Sequence, residues 1–142
     1  MATNKLAFAT LAGALAAFVL GYLLYGVLLY GFFEANAGSA VGVNREPPNL
    51  IPIALGQIPL TLLVTLLISR WGKSESLAGG AKVGALFGLL FALGLDLTLY
   101  GATNISNLTA TLVDPLVSLV LWAVSGAVIG MVLGRGKPAA AA

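Results

Sequence analysis

One acidic residue, Asp96, lies inside a long apolar stretch and is the residue of this sequence best suited to chemistry. It follows Lys82 by 14 residues, which corresponds to about 21 Å along a helix. An acidic side chain at the centre of a membrane helix costs about 2.5–3.5 kcal/mol on insertion scales. Two interpretations follow: Asp96 is a buried acid that hydrogen-bonds its neighbours, or it binds a proton or cation in a polar pocket.

Polar residues follow Asp96 up to the next apolar stretch, and a short loop at 104–107 gathers them at one end of a helical hairpin. Asp96 and Tyr100 are four residues apart and share a helix face. Asp114 precedes Pro115, a pair typical of a helix start, so we expect Asp114 to cap the last helix. The residues predicted to bind a proton, a cation or a small polar solute are Asp96, Thr98, Tyr100, Asn104, Asn107, Asp114 and Gln57.

Gln57 belongs to this set because a proline lies beside it. Pro59 falls inside the second apolar stretch, where it removes the hydrogen bond of the Leu55 carbonyl and predicts a kink. Unwound backbone at such a kink can line a polar cavity within a membrane. We therefore expect Gln57 to face the same pocket as Asp96, with Glu34 at its rim.

The residue types that are missing exclude several kinds of site. The sequence contains no cysteine and no histidine, so thiolate chemistry, disulfides and the commonest metal ligand are all excluded. We expect no cofactor and no metal. The net charge of +2 does not indicate nucleic-acid binding. An enzyme is the least favoured class, and Asp96 with Asp114 is the one carboxylate pair that could support it.

The elements that position these residues are four apolar stretches. The sequence is 59% hydrophobic and 8% charged, a composition suited to lipid as solvent. It predicts an all-α, membrane-spanning four-helix bundle that forms one domain over 1–142. The helices are expected at about 6–33, 50–70, 81–102 and 111–134, with an outer loop at 34–49 and a cytoplasmic loop at 71–80.

Lysine and arginine positions predict the orientation of the chain. Basic residues in short loops are retained in the cytoplasm, and only Arg45 falls on the opposite side. Both termini are therefore expected in the cytoplasm. The six residues that agree with this orientation are Lys5, Arg70, Lys73, Lys82, Arg135 and Lys137.

Small residues recur at four-residue spacing and form three rows on helix faces. Such rows allow close backbone approach between membrane helices. They indicate either packing within the bundle or a homo-oligomer formed through one row left over. The rows are Gly80, Gly84, Gly88 and Ala92; Gly126, Gly130 and Gly134; and Gly13, Ala17 and Gly21.

Two short segments recur along the chain. Residues 13–15 and 84–86 both read Gly-Ala-Leu, and residues 29–31 and 99–101 both read Leu-Tyr-Gly. The recurrence fits two repeated helical hairpins in the same orientation. Chance matches between glycine-rich helices explain it equally well.

The layout resembles small bacterial four-helix membrane proteins that are grouped in families of unknown function. The similar features are the segment 21–26 with Gly31 and Phe32, the triplet 96–98 followed by Asn104, and the final glycine row. The resemblance implies a location in the bacterial inner membrane and the four-helix topology. It implies no site residue, because such families have no settled activity.

Two functions remain after these exclusions. The first is a small transporter or channel-like protein, expected to be a homo-oligomer, with an outward-facing polar pocket around Asp96. The alternative is a structural or accessory subunit that packs against a larger membrane complex through its glycine rows. In both cases the lipid bilayer is the surrounding partner.

Overall fold

The protein is described by a computed structural model over residues 3–71 and 74–135, with the side chain of Trp71 left out. Over this part of the chain every regular element is helical. The elements are α1 (Thr3–Gly21), a π-helical segment π1 (Tyr22–Leu28), α2 (Tyr30–Ala35), α3 (Leu50–Leu66), a second π-helical segment π2 (Leu67–Trp71), α4 (Leu77–Ala102) and α5 (Leu108–Gly134).

Four helical spans in the described residues are long and apolar enough to cross a membrane, by length and composition. Their mean hydropathy ranges from 1.8 to 2.4. The all-α fold and the four-helix bundle predicted from the sequence are confirmed, and the chain is a multi-pass membrane protein. The spans are Thr3–Leu28, Leu50–Arg70, Leu77–Ala102 and Leu108–Gly134.

The helices begin where polar side chains cap them. The Asn49 side chain accepts a hydrogen bond from the Ile51 amide and begins α3. Ser76 caps α4 in the same way, so this helix begins at Leu77, four residues before the expected 81. Each cap satisfies one of the amide groups that a helix leaves unpaired at its first turn. The predicted cytoplasmic residues Lys73 and Lys137 lie outside the described residues.

The tightest packing joins α4 and α5 through two of the glycine rows. A Cβ atom added to Gly84 would collide with the Trp122 carbonyl, and one added to Gly80 would collide with the Gly126 carbonyl. Each is a backbone atom that cannot rotate away. The Trp122 ring packs edge-on against Phe87, with ring centroids 4.9 Å apart. The two helices therefore meet backbone to backbone, as expected for membrane helices rich in small residues.

The third row packs α1 against α5. A Cβ atom on Gly13 would lie 2.5 Å from the Ile129 side chain, and one on Gly21 would lie 3.5 Å from Leu121. All three rows therefore face neighbours within the chain. The homo-oligomer stays a prediction, but no row is left over to support it.

The two ends of the bundle differ in packing. We call the end where α1 and α4 begin the termini half, and the end with the connections 36–49 and 103–107 the loop half. The described residues of 18–60 and 93–109 include none that is buried, whereas α5 has buried residues along its whole length. Burial in α1, α3 and α4 is thus confined to the termini half and the middle of the bundle.

Candidate functional site

Two acidic side chains from neighbouring helices meet in the loop half. Asp96 of α4 lies one turn beyond Ala92, the last buried residue of that helix, and its carboxyl group is within hydrogen-bonding reach of Asp114 on α5. The glycine rows produce this meeting, because they fix the register of two antiparallel helices up to Gly88 and Ser118. Continuing the same register by about two turns brings Asp96 opposite Ala110, one turn from Asp114.

The prediction that Asp114 caps the last helix is wrong. Asn107 caps α5, accepting a hydrogen bond of 3.0 Å from the Ala110 amide, so the helix begins at Leu108. Asp114 therefore lies within the helix. Pro115 is likewise inside α5, and because it has no amide hydrogen, the Thr111 carbonyl lacks its usual helical donor.

A third element brings a tyrosine to the acidic pair. The Tyr25 hydroxyl on π1 lies 3.1 Å from the Ser118 hydroxyl, and it also interacts with the carboxyl group of Asp114. Asp96 is close enough to interact electrostatically with the same hydroxyl. Four polar side chains from three elements thus converge, and we call Tyr25, Asp96, Asp114 and Ser118 the acidic cluster.

The backbone that carries Tyr25 is irregular. Residues Tyr22–Leu28 form a π-helix, and the Leu29 amide donates to the Leu24 carbonyl over 2.8 Å, a five-residue step. π-Helical turns are rare and occur frequently at functional sites. The chain returns to α-helix at Tyr30. The wider turn rotates the following residues relative to α1, so Tyr25 and the aromatic residues after it take positions that a regular helix would not give them.

One carboxylate oxygen of the cluster is left without a donor. Asp96 Oδ2 is buried and has no hydrogen-bond partner among the described residues. The neighbouring Asp114 carboxylate is also an acceptor when ionised, so the two groups cannot bond to each other without a proton. A buried acceptor left unpaired is costly, and a proton or cation between the carboxylates removes this cost.

Aromatic rings extend the cluster toward α2. The rings of Tyr25 and Phe33 are 5.3 Å apart at an angle of 35°, and Phe32 packs edge-on against Phe33 at the same distance. Neither phenylalanine is fully buried. The faces of aromatic rings carry partial negative charge and attract cations, so this arrangement reinforces the acidic pair.

Three other predicted site residues lie outside the acidic cluster. The Thr98 hydroxyl donates to the Gly94 carbonyl of its own helix, and Gln57 donates to the Ile53 carbonyl of α3. Tyr100 is exposed. The prediction of unwound backbone near Gln57 is wrong, because α3 continues as α-helix through Pro59. The structure thus joins Asp96 with Asp114 and leaves Thr98, Gln57 and Tyr100 outside this contact.

Asn104 and Asn107 take part in hydrogen bonds that join the two loops. The Asn107 side chain donates to the Asn36 side chain over 3.0 Å, and the Asn107 amide donates to the Asn36 carbonyl. Ala40 and Gly38 donate amide hydrogen bonds to the Asn104 and Ile105 carbonyls. The start of the long loop therefore runs along the tip of the hairpin of α4 and α5, beyond the acidic cluster.

Sequence reasoning missed the role of Ser118, and Tyr25 was not among the predicted binding residues. Ser118 is four residues after Asp114, so both lie on one face of α5; this spacing was the available signal. The π-helical segment left no comparable mark in the apolar sequence around Tyr25. Comparisons with known protein families, with curated proteins and with solved structures found no match.

Proposed function

We propose that this protein is a small transporter or channel-like protein of the cell inner membrane, with an outward-facing polar pocket at the acidic cluster. The pocket binds a proton, a cation or a small polar solute. The observation that carries the proposal is the meeting of Asp96 and Asp114 within spans long enough to cross a membrane. Acidic groups inside membrane spans are costly and mark ion and substrate pathways.

Access to the cluster is supported by the loose packing around it. No residue of the described segment 50–60 of α3 is buried, whereas Thr61, Val64 and Thr65 in its second half are. The first half of α3 therefore contributes little packing at the level of the cluster. A solute reaching the loop half would have to displace few packed side chains.

The outward direction of the pocket rests on the basic residues. The Lys5 amine donates to the Arg135 carbonyl over 2.7 Å, which joins both ends of the described chain in the termini half. Arg70 and Lys82 belong to the same half. With basic residues retained in the cytoplasm, both termini are cytoplasmic and the acidic cluster faces the outside.

The accessory-subunit alternative loses much of its support. It relied on glycine rows free to contact another protein, and all three rows face helices of the same chain. Glycines with open space around them do exist, at Gly56 and Gly94. Gly101, on the same helix as Gly94, is also open, but none of these glycines recurs at the four-residue spacing of a row.

Hydrolysis is a second candidate, favoured by the same contact. Two carboxyl groups that share one proton are the machinery of aspartic proteases, and Asp96 with Asp114 fits that description. A hydrolase would also need a substrate-binding cleft and access for water. Cleavage of a substrate by the purified protein, lost in both Asp96→Asn and Asp114→Asn, would favour this class over transport.

The test of the proposal is flux through reconstituted protein. Proteoliposomes containing a trapped pH-sensitive dye are given a gradient of protons or sodium ions, and the change in internal pH is followed. We expect Asp96→Asn to abolish the flux, because the amide can neither release a proton nor balance a cation.

The matched control is Glu46→Gln, which removes a carboxylate from the exposed outer loop and should leave the flux unchanged. The Asn variant must elute as the same monodisperse particle as the original protein. Equal flux in Asp96→Asn and the original protein would refute the proposed role of the cluster.

A further inference from the structure

We propose that the acidic cluster binds a lipophilic organic cation, of the quaternary ammonium or phosphonium type, in exchange for a proton. The inference rests on the proposed function and names the substrate class of the same site. Three observations carry it: the Asp96 and Asp114 carboxyl groups within hydrogen-bonding reach, the buried Asp96 oxygen that has no donor among the described residues, and the Phe33 ring packed on Tyr25.

The net charge of the acidic pair before a cation binds follows from the contact between its two carboxyl groups. Asp96 and Asp114 can hydrogen-bond to one another only when one of them carries a proton, so the joined pair has a net charge of −1. An arriving cation is stabilised by two carboxylates more than by one. The shared proton then leaves to water as the cation binds, and the net charge of the occupied site is again −1.

The side chains around the acidic pair favour an organic cation over an alkali ion. Alkali ions are bound by shells of oxygen ligands, whereas quaternary ammonium groups are recognised by aromatic faces. The Tyr25 ring, whose hydroxyl interacts with the acidic pair, lies against Phe33, and Phe33 lies against Phe32. The cluster thus combines negative charge with apolar aromatic surface, which suits a cation that carries hydrocarbon around its charge.

A basic side chain close to the acidic pair would compete with a bound cation. The titratable side chain that faces the acidic pair from π1 is Tyr25, and from α2 the nearest candidate is Glu34 at the loop end. Helix α3 contains no Asp, Glu, Lys, Arg or Tyr. On α4, Tyr100 is one turn from Asp96 and exposed, and Lys82 is in the opposite half. No Lys or Arg side chain of the described spans lies at the acidic pair, so none neutralises it in place of a bound cation.

The apolar surface near the acidic cluster gives a lipophilic cation a route from the lipid. Exposed apolar side chains flank both acids along their helices: Leu95 and Leu97 adjoin Asp96 in sequence, and Leu116 follows Asp114 by two residues. A lipophilic cation concentrates at the membrane and reaches such a surface from the lipid. A hydrated inorganic ion would have to lose its water there.

The experiment measures binding and proton release together. Purified protein in detergent and weak buffer is titrated with tetraphenylphosphonium, and heat and pH are recorded. We expect saturable binding with release of about one proton per cation, and an affinity that falls by up to about tenfold for each pH unit of acidification once the proton competes.

Two sets of variants separate the contributions. Asp96→Asn and Asp114→Asn should each abolish proton release. Phe33→Leu should weaken binding by about three- to thirtyfold while leaving proton release per bound cation unchanged. Phe8→Leu, at an exposed phenylalanine of the termini half, is the matched control and should bind as the original protein does.

The outcomes distinguish this inference from the proposed function. Flux of protons or sodium ions without saturable tetraphenylphosphonium binding would overturn the organic-cation inference and leave the proposed function standing. Binding that Asp96→Asn and Asp114→Asn leave unchanged would also overturn it. Absence of both flux and binding in monodisperse protein would overturn both proposals.

Discussion

The termini half of this bundle is closely packed and the loop half is loosely packed, although the same four helices form both. In the termini half, glycine rows bring α4 and α5 into backbone contact, and a Cβ atom at Gly80, Gly84 or Gly130 would strike a carbonyl of the facing segment. In the loop half, Gly31, Gly94 and Gly101 have open space around them. The comparison teaches that close packing in one half fixes the register that brings polar groups together in the other.

The largest effect is expected from a substitution that tests this packing. Gly84→Ala adds one Cβ atom against the Trp122 carbonyl, which cannot rotate away, so we expect a loss of about 2–3 kcal/mol in the free energy of unfolding. Thermal unfolding in detergent, followed by circular dichroism, measures it.

Gly94→Ala is the matched control on the same helix. Its Cβ atom meets open space, and alanine favours a helix over glycine by about 1 kcal/mol, so this variant should be slightly more stable than the original protein. Equal destabilisation by both variants would contradict the difference between the halves.

A smaller effect is expected where the two loops are tied together. Asn107→Ala removes both the cap of α5 and the bond to the Asn36 side chain, at a cost of about 1 kcal/mol. Hydrogen exchange should become faster for the amides of Gly38 and Ala40, which bond to the hairpin tip. Asn104→Ala alters an exposed side chain of the same loop and should leave this exchange unchanged.

The smallest effect is expected inside the acidic cluster. Tyr25→Phe keeps the ring but removes the hydroxyl that meets Ser118, and hydrogen bonds between membrane helices contribute about 0.6 kcal/mol on average. Tyr22→Phe, at an exposed position of the same π-helical segment, should cost nothing. Unfolding in denaturant that separates the two variants would locate the bond; identical curves would remove Tyr25 from the cluster.

The parts of the fold that depend on composition and spacing could be predicted from the sequence. Four apolar stretches define the spans, and four-residue rows such as Gly80, Gly84 and Gly88 predict the faces that meet. Asp96 was identifiable because an acid in an apolar helix has no local explanation.

The remainder depends on context that one stretch of sequence does not contain. Asp114 before Pro115 has the pattern of a helix start, and only the cap at Asn107, seven residues earlier, decides otherwise. The π-helical segment at Tyr22–Leu28 is apolar like the helix before it, so the sequence did not reveal the irregular turn. Which face of π1 reaches Ser118 follows from tertiary packing alone.

The central claim is that Asp96 and Asp114 meet across α4 and α5. The chain has no cysteine, so the double variant Asp96→Cys with Asp114→Cys can be treated with a short bifunctional thiol reagent and the number of linkers added per chain read from the intact mass. The account predicts one linker that bridges both thiols. Leu97→Cys with Asp114→Cys, at the same depth but on another face of α4, should instead carry two singly attached linkers. Cross-linking in the Leu97 pair and none in the Asp96 pair would contradict the account.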